Sequence, residues 1–248
     1  MQDMQKKQKI SIIIPCFNEQ EGIPNLAQKL PPALAELNTY FDTELIFVDD
    51  GSSDNTNTLL HQHFSNTPNT VILKHEKNQN LGGALRTGFA KASGDLIAAF
   101  DSDCTYQPDV LLTMAKMMNI ETDIVTVSPY HPQGKVNNVP KYRLFLSKSI
   151  SKIYGLLLHA NIYTYTAMVR VYKKEVIENI QFKSNTFLAV TEIMIKSLLK
   201  GYKVKELPTT LSVRQFGTSK IKTVKVMRDH LKLIGKIIRY KLFKKEIN

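Results

Sequence analysis

Residues 45–51 read Leu-Ile-Phe-Val-Asp-Asp-Gly, an apolar run that ends in two acids and a glycine. Four more apolar runs occur at residues 10–14, 71–73, 96–100 and 124–127. Continuous runs of this length are typical of strands that are covered on both faces of a sheet. Residues 45–51 therefore predict a buried strand that ends in polar side chains.

Helix-like segments separate these runs, at residues 21–37, 54–63, 81–92 and 108–119. We expect a break in the first of them at Pro31-Pro32, because proline lacks the backbone N–H that a helix interior needs. Strands that alternate with helices indicate a mostly parallel central sheet with right-handed crossovers and helices on both faces. The first half of the chain thus predicts an α/β fold.

The second half of the chain is less regular. Residues 128–142 contain three prolines and are expected to form a loop. Helices are predicted at residues 144–158 and 187–200, and further strands at residues 168–172 and 204–208. No linker separates the two halves, so we expect them to fold together.

The chain has 248 residues and a net charge of +11, which is concentrated near its C-terminus. Ten Lys or Arg residues and one acid, Asp229, lie between Lys220 and Lys245. Such an excess favours phosphates, nucleic acid or an anionic membrane surface, but no nucleic-acid-binding motif accompanies the charge. No signal peptide or membrane-spanning stretch is visible, and two distant cysteines suit reduced thiols. We therefore expect a cytoplasmic location.

Polar clusters follow three of the predicted strands, at residues 16–19 (Cys-Phe-Asn-Glu), 49–51 (Asp-Asp-Gly) and 101–103 (Asp-Ser-Asp). In parallel sheets, ligands bind beyond the carboxyl ends of the strands. The three clusters are therefore expected to meet at one edge of the sheet and to form a single site.

Asp101 and Asp103 are the candidate metal ligands. Two carboxylates at a strand end can share one hard divalent cation, and Mg²⁺ and Mn²⁺ both suit carboxylate and phosphate oxygens. Such a cation would stabilise the charge that develops on a diphosphate leaving group. The alternative is an ordinary turn with two solvated acids.

Two neighbouring motifs allow more than one interpretation. Asp50 can accept a hydrogen bond from the base or ribose of a nucleotide, or it can simply end a strand, whereas Asp54 is expected to cap the next helix. The glycine-rich residues 80–88 lack the spacing of the known phosphate loops. Arg86 within them either approaches a diphosphate or is solvated, with Gly82 and its neighbour packed closely.

Four ordered motifs together resemble the family 2 glycosyltransferases. They are Ile-Pro-Cys-Phe-Asn-Glu at residues 14–19, Val-Asp-Asp-Gly-Ser-Ser-Asp at 48–54, Asn-x-Gly-x-x-x-Arg-x-Gly-Phe at 80–89 and Asp-Ser-Asp at 101–103. The resemblance implies the GT-A fold of nucleotide-diphospho-sugar transferases and inversion at the anomeric carbon. It implies a catalytic domain over residues 1–220, and residues 221–248 are predicted separately to form a basic amphipathic helix, either part of the same domain or a membrane-surface element.

The resemblance also implies which residues bind the nucleotide-sugar donor, a GDP- or UDP-sugar. These are Pro15, Phe17, Glu19, Asp50, Arg86, Ser102, Arg214 and Lys220. Asp101 and Asp103 would hold the metal and the diphosphate, and Arg214 and Lys220 would lie on a loop that closes over it.

The second half is similar to the polyprenol-phosphate (dolichol-phosphate) mannosyl- or glucosyltransferase branch, in residues 142–147, 187–192, 206–208 and 213–220. Arg143 would then bind the phosphate of a polyprenyl or dolichyl phosphate acceptor. The chain departs from that branch at three places, which concern the acceptor side. They are Thr105 in place of glutamine, Ser128-Pro129 in place of Ser-Arg, and residues 164–170 in place of Asp-x-Thr-Ser-Gly-Phe-Arg.

The acceptor decides whether a catalytic base is needed. A lipid phosphate is already a nucleophile at neutral pH, whereas the alternative acceptor, a glycan or small-molecule hydroxyl reached by a soluble enzyme, needs a carboxylate base. Glu192 is the better candidate for that base and Asp123 the other. The competing interpretation of Glu192 is an ion pair with a nearby arginine.

The C-terminal segment predicts an amphipathic helix. Its apolar residues recur at steps of three and four, at Val224, Met227, Leu231, Ile234, Ile238 and Leu242. A basic amphipathic helix suits the surface of an anionic membrane, here the cytoplasmic face, and it equally suits packing on the domain with a solvated basic side. Both interpretations stay open at the level of sequence.

Overall fold

The computed structural model describes residues 7–216 and 223–243. The strands are β1 (Lys9–Cys16), β2 (Asp42–Asp49), β3 (Thr70–Lys74), β4 (Leu96–Ala99), β5 (Ile124–Ser128), β6 (Lys135–Val136), β7 (Arg170–Lys173), β8 (Val204–Pro208) and β9 (Thr210–Leu211). The helices are α1 (Ile23–Leu37), α2 (Thr56–Phe64), α3 (Asn80–Lys91), α4 (Val110–Met117), α5 (Lys141–Leu158), α6 (Lys174–Asn179), α7 (Leu188–Leu199) and α8 (Thr223–Phe243).

Seven strands form the central sheet in the order β3-β2-β1-β4-β7-β5-β8. Every neighbouring pair is parallel except the two that involve β7, which runs antiparallel to β4 and to β5. The predicted mostly parallel sheet is therefore confirmed. The short strands β6 and β9, and the helix α6, were not predicted from the sequence.

The residues of β1 explain why helices cover both faces of the sheet. Ile12 and Ile14 belong to one buried cluster, which includes side chains of α1, whereas Ile13 belongs to a second cluster on the opposite face, which includes side chains of α3. All three isoleucines are inaccessible to solvent. Alternate side chains of a strand point to opposite faces, so a continuous apolar run supplies both layers of the core.

The predicted break at Pro31-Pro32 does not occur, because α1 continues through both prolines. The two proline side chains are exposed, so water can hydrate the backbone carbonyls that they leave without a partner. On the opposite face, Leu30 and Leu34 are buried in the core. Burial of that apolar face therefore outweighs the local disruption.

The C-terminal helix packs on the rest of the fold. Leu233 and Ile237 of α8 are buried in a third apolar cluster together with Tyr154 of α5. The Tyr154 hydroxyl lies 2.9 Å from Nδ1 of His230, which is also buried. In the described residues no helix is long and apolar enough to span a membrane.

A glycine in α3 tests how tightly the first half is packed. A Cβ atom at Gly88 would lie 2.3 Å from Cγ2 of the buried Ile13, whose branched side chain has little freedom to move. We expect Gly88→Ala to lower the free energy of unfolding by roughly 1–3 kcal/mol, as overpacked cores do. Urea unfolding followed by circular dichroism would measure this.

Gly235 is the matched control, since it is a helical glycine of α8 with no atom within 4 Å of its added Cβ. Gly235→Ala should leave stability unchanged or raise it by up to about 1 kcal/mol through helix propensity. Equal stability of the two variants would contradict the close packing of α3 on β1.

Candidate active site

Asp101 and Asp103 lie in the turn that follows β4, at the carboxyl edge of the sheet. Burial raises the pKa of both carboxyl groups, and the charge of Asp103 raises that of Asp101 further. The backbone N–H of Thr105 donates to Asp103 Oδ1 at 3.1 Å and opposes the shift in part. Two desolvated carboxylates that repel each other form a local excess of negative charge, which a cation would relieve.

The acid pair fits a divalent cation such as Mg²⁺ or Mn²⁺. Hard cations prefer several oxygen ligands and commonly complete their shell with substrate phosphates and water. Between residues 7 and 216, and in α8, no group of three or more His, Cys, Asp or Glu side chains could hold a metal ion. The protein therefore offers two carboxylates, and a diphosphate is suited to provide further oxygens.

Arg214 brings a positive charge to the same place. Its guanidinium donates to Oε2 of Glu19, and its Nη1 lies 3.9 Å from Oδ2 of Asp103. Glu19 is buried and follows β1 in the sequence. Through its contacts with Glu19 and Asp103, Arg214 connects the segment after β9 to the segments that follow β1 and β4. Two basic residues were expected on a loop that closes over the diphosphate. Arg214 lies at the carboxyl edge of the sheet, and Lys220 falls outside the described residues.

Asp50 lies at the end of β2 and is held from several sides. Its Oδ1 accepts hydrogen bonds from Nδ1 of His75 at 2.7 Å and from the backbone N–H of Gln79 at 2.8 Å. Its Oδ2 accepts one from the side-chain amide of Asn78 at 2.9 Å. Nε2 of His75 lies 2.8 Å from the Thr87 hydroxyl. His75 was not among the predicted site residues, because no motif spacing in the sequence indicates that it contacts Asp50.

The remaining donor candidates of the first half line the same edge. Pro15 and Phe17 are half-buried at the end of β1, whereas Ser102 is buried and its hydroxyl contacts the thiol of Cys16. Burial raises the pKa of that thiol, so it stays protonated. Asp54 accepts the backbone N–H of Thr56, the first residue of α2, at 2.9 Å, but the N-cap position is Asn55, so Asp54 is not the cap that the sequence predicted.

Arg86 takes part in a contact that the sequence did not predict. Its guanidinium donates to the carbonyl of Ser184 at 3.2 Å and to the side chain of Asn185, and it lies 5.2 Å from the centre of the Phe182 ring. The side chain is therefore not simply solvated, and its donors are directed towards residues 182–185. The close packing expected at Gly82 is present, since an added Cβ would lie 2.1 Å from the Ser184 carbonyl oxygen.

Arg143 lies on the first turn of α5 and is exposed. Its Nε donates to the hydroxyl of the adjacent Tyr142 at 3.1 Å. No contact joins it to the acid pair within the described part of the chain. Its guanidinium is therefore available to an anion that approaches from solvent.

Glu192 forms the ion pair that competed with its role as a base, although the partner is a lysine and not an arginine. Lys196 Nζ lies 2.8 Å from its Oε1. The backbone N–H groups of Lys183 and Ser184 donate to its two oxygens at 3.0 and 2.9 Å. Although burial acts in the opposite direction, these hydrogen bonds lower its pKa. Asp123, the other candidate, is likewise paired, with Lys173 at 2.7 Å.

Two buried side chains, Tyr106 beside the acid pair and Arg170 at the start of β7, were not among the predicted site residues. Burial and the charge of Asp101 raise the pKa of Tyr106, so its hydroxyl remains a neutral donor next to the acids. Arg170 is fully inaccessible, and it donates to the carbonyl of Tyr165 at 2.7 Å and to the hydroxyl of Thr126 at 3.2 Å. Tyr106 carries no local pattern that reveals such surroundings, whereas Arg170 matches the last position of the family element compared with residues 164–170, although no role was assigned to it.

Solved structures share the fold of this chain. The glucosyl-3-phosphoglycerate synthase from Mycobacterium tuberculosis, crystallised with Mn²⁺, UDP and glucosyl-3-phosphoglycerate, superposes with a TM-score of 0.69. The match covers 94 % of this chain and 79 % of that one at 15 % identity, so it establishes the fold alone. The architecture is the GT-A fold of nucleotide-diphospho-sugar transferases.

The chain belongs to the family 2 glycosyltransferases, because the family model described as Glycosyl transferase family 2 matches residues 11–181. The dolichol-phosphate mannosyltransferase of Pyrococcus furiosus is 32 % identical over 234 residues, which cover 94 % of this chain and 64 % of that relative. The polyprenol monophosphomannose synthase of Mycolicibacterium smegmatis is 28 % identical over 221 residues, covering 86 % and 81 %. The chain thus spans just under two thirds of the Pyrococcus protein's length.

The contacts of Glu192 predict a structural role that depends on pH. In Glu192→Gln, an amide NH₂ would face one of the two backbone N–H groups, so we expect a loss of roughly 1–3 kcal/mol of stability at pH 7. The pKa of Glu192 is lowered in the folded state from 4.5. Its stabilisation is therefore present above pH 4.5 and is lost as the pH falls through the folded-state pKa.

Urea unfolding at several pH values would measure this difference, which should shrink below pH 4.5. Glu178→Gln is the matched control, because Glu178 also pairs with a lysine four residues away but is exposed. That variant should change stability by no more than about 0.5 kcal/mol. Unchanged stability of Glu192→Gln together with lost catalysis would instead restore Glu192 as a base.

Proposed function

We propose that this chain transfers a sugar from a GDP- or UDP-sugar to a polyprenyl phosphate, with a divalent metal at Asp101 and Asp103. The observation that carries the proposal is the acid pair itself. Two half-buried, mutually repelling carboxylates stand at the carboxyl edge of the sheet in a family 2 chain. Arg214 lies 3.9 Å from Asp103 and is paired with Glu19, and Asp50 follows the neighbouring strand β2 at the same edge.

The roles of the residues follow from charge. A bound Mg²⁺ or Mn²⁺ supplies Lewis-acid stabilisation of the departing diphosphate. Asp101 and Asp103 hold the cation, and Arg214 lies close enough to Asp103 to add a second positive charge beside the phosphates. Glu19 accepts from Arg214 and so orients its guanidinium.

The state of the other carboxylates favours a phosphate acceptor over a hydroxyl. Glu192 and Asp123, the two candidates for a base, are both engaged in ion pairs and have lowered pKa values. A lipid phosphate needs no base, because it is already anionic at neutral pH. The names of the two relatives, a dolichol-phosphate and a polyprenol transferase, agree with such an acceptor. Arg143, exposed on α5, is the residue that we assign to the acceptor phosphate.

Exposed apolar side chains support a membrane-borne acceptor. Of the fourteen large apolar side chains exposed within residues 7–216 and 223–243, nine lie on α5 and α8. They are Tyr142, Phe145, Ile153 and Leu156 on α5, and Val224, Leu231, Ile238, Leu242 and Phe243 on α8. Apolar surface concentrated in this way marks a protein or membrane contact.

The positive charge of α5 and α8 favours contact with an anionic membrane over contact with another protein. The helices α5 and α8 contain ten Lys or Arg residues and a single acid, Asp229. Lys141, Lys148 and Lys152 flank the exposed apolar side chains of α5 and line a groove together with Phe145. Each basic residue near an anionic bilayer contributes roughly 1 kcal/mol to binding. The peripheral contact predicted for the C-terminal helix is therefore proposed for α5 and α8 together.

A transfer assay tests the reaction. We expect purified protein, labelled GDP- or UDP-sugar, polyprenyl phosphate and Mn²⁺ to give label that is extracted into butanol. Asp103→Asn should lower this transfer by roughly 100-fold or more, because the loss of a metal ligand removes several kcal/mol of transition-state stabilisation. Scintillation counting of the two phases gives the measurement.

Asp109→Asn serves as the control, because Asp109 lies after the turn, at the start of α4, and is not part of the acid pair. Label that remains in water, on a glycan or small molecule, would favour the hydroxyl acceptor. Nucleotide binding that neither Mn²⁺ nor Mg²⁺ strengthens would overturn the metal role of the acid pair.

Vesicle binding tests the membrane surface. Phe145→Ser and Leu156→Ser each remove an apolar side chain that is about 70 % exposed. We expect each to weaken binding to vesicles that contain phosphatidylglycerol by roughly 10-fold, because a buried side chain of this size contributes about 1.5–3 kcal/mol. Co-sedimentation over a range of lipid concentrations would report the change.

Ile120→Ser is the matched control, since Ile120 is also exposed but lines a groove with Asp95 and Lys173, which belong to neither α5 nor α8. It should leave vesicle binding unchanged. If Ile120→Ser weakened binding as much as Phe145→Ser, or if neutral vesicles bound equally well, the proposed surface would be rejected.

A further inference from the structure

A buried tyrosine, Tyr106, adjoins the acid pair and has no role in the site as described so far. It follows Asp103 by three residues, in the segment that joins β4 to α4, and it is only 5 % exposed. Besides burial, the nearby Asp101, Tyr130 and Asp103 raise the pKa of its hydroxyl. The phenol therefore lies where the acid pair meets the residues that follow β5.

The hydroxyl of Tyr106 has no hydrogen-bond partner among residues 7–216 or in α8. The ring belongs to the apolar cluster that also contains Phe100 and Val169. A phenylalanine would fill the same space, whereas a buried hydroxyl without a partner lowers stability because it loses its hydration. The hydroxyl is thus unfavourable for the fold by itself, and it is suited to donate to a ligand.

Backbone hydrogen bonds fix the position of this phenol. The N–H of the preceding residue, Thr105, donates to Asp103 Oδ1 at 3.1 Å, and the carbonyl of Thr105 accepts from the N–H of Ser212 at 3.1 Å. Ser212 lies two residues before Arg214. Tyr106 is therefore held in place relative to both Asp103 and the segment that carries Arg214.

Further hydroxyl groups connect the surroundings of Tyr106 with α5. The hydroxyl of Tyr130 contacts that of Ser147, which in turn lies 2.7 Å from the hydroxyl of Thr166. Ser147 follows Arg143 by one helical turn, and Arg143 is the residue assigned above to the acceptor phosphate. Tyr106 thus adjoins the acid pair and also a group of hydroxyls that extends to the helix of Arg143.

We propose that the hydroxyl of Tyr106 donates a hydrogen bond to the phosphate of the acceptor and so holds it beside the acid pair. This rests on the proposed function, in which a polyprenyl phosphate is the acceptor. Carboxylates repel an approaching phosphate, and a neutral donor offsets part of that repulsion. A lysine or arginine at this position would instead pair with the acids and compete with the metal.

Kinetics of Tyr106→Phe with a short, water-soluble polyprenyl phosphate provide the test, because such an acceptor needs no membrane contact. We expect the KM for this acceptor to rise roughly 10-fold or more, since a hydrogen bond to a charged oxygen is lost. The KM for the nucleotide sugar should stay unchanged, and so should the affinity for UDP or GDP with Mn²⁺ in titration calorimetry. Urea unfolding should show no loss of stability, because the hydroxyl has no partner within the described residues.

Tyr165→Phe is the matched control. Tyr165 is also buried, and its hydroxyl likewise has no partner among the described residues. Its ring, however, packs 5.6 Å from that of Tyr154 in the third apolar cluster. Removal of this hydroxyl should leave both KM values as they are in the unmodified protein.

The possible outcomes separate this inference from the proposed function. An unchanged acceptor KM in Tyr106→Phe, or a weakened nucleotide affinity in its place, would overturn the inference and leave the proposed function standing. A loss of stability accompanied by changes in every kinetic constant would show that the hydroxyl supports the fold, and the inference would be rejected. If the unmodified protein transferred no sugar to polyprenyl phosphate, both would fall.

Discussion

Repulsion between Asp101 and Asp103 is the constraint around which the carboxyl edge of the sheet is arranged. Each carboxylate is half-buried and loses part of its hydration, and each destabilises the charge of the other. The fold places compensating groups around them. Arg214 approaches Asp103, and Thr105 donates a backbone N–H to it. We propose that a cation and a diphosphate complete this balance.

Strand order explains how distant residues reach this edge. β1 lies between β2 and β4, and all three are parallel, so Glu19, Asp50 and Asp101 follow strands that end on the same side. The antiparallel β7 then interrupts the parallel sheet and places the second half of the chain beside β4. Residues after β9 return to the edge through Arg214, more than a hundred residues after the acid pair.

The second half adds a surface to the site. α8 buries one face, at Leu233 and Ile237, while its exposed apolar residues lie on another. The helix therefore packs on the domain through one face, as one interpretation of the amphipathic pattern predicted, and the membrane contact of its exposed face stays a proposal. Because α8 also contacts α5 through His230 and Tyr154, the exposed faces of both helices belong to one packed unit that also carries Arg143.

Much of this protein follows from its sequence alone. Apolar runs that end in acids predicted the parallel strands, their shared edge and the acid pair, because strand periodicity and the direction of parallel strands are local properties. Helix α1 was predicted with a break that does not exist, since burial of Leu30 and Leu34 is a tertiary effect. The positions of β6, β9 and α6 also depended on long-range packing.

Only the tertiary structure decided what the polar side chains contact. It directed Arg86 to Ser184 and paired Glu192 with Lys196, and it joined His75 to Asp50 across 25 residues of sequence. The physical reason is that hydrogen bonds and ion pairs depend on distances of about 3 Å between groups that are far apart in the chain. A sequence identifies residues capable of such contacts, and packing of the helices on the sheet selects which of them form.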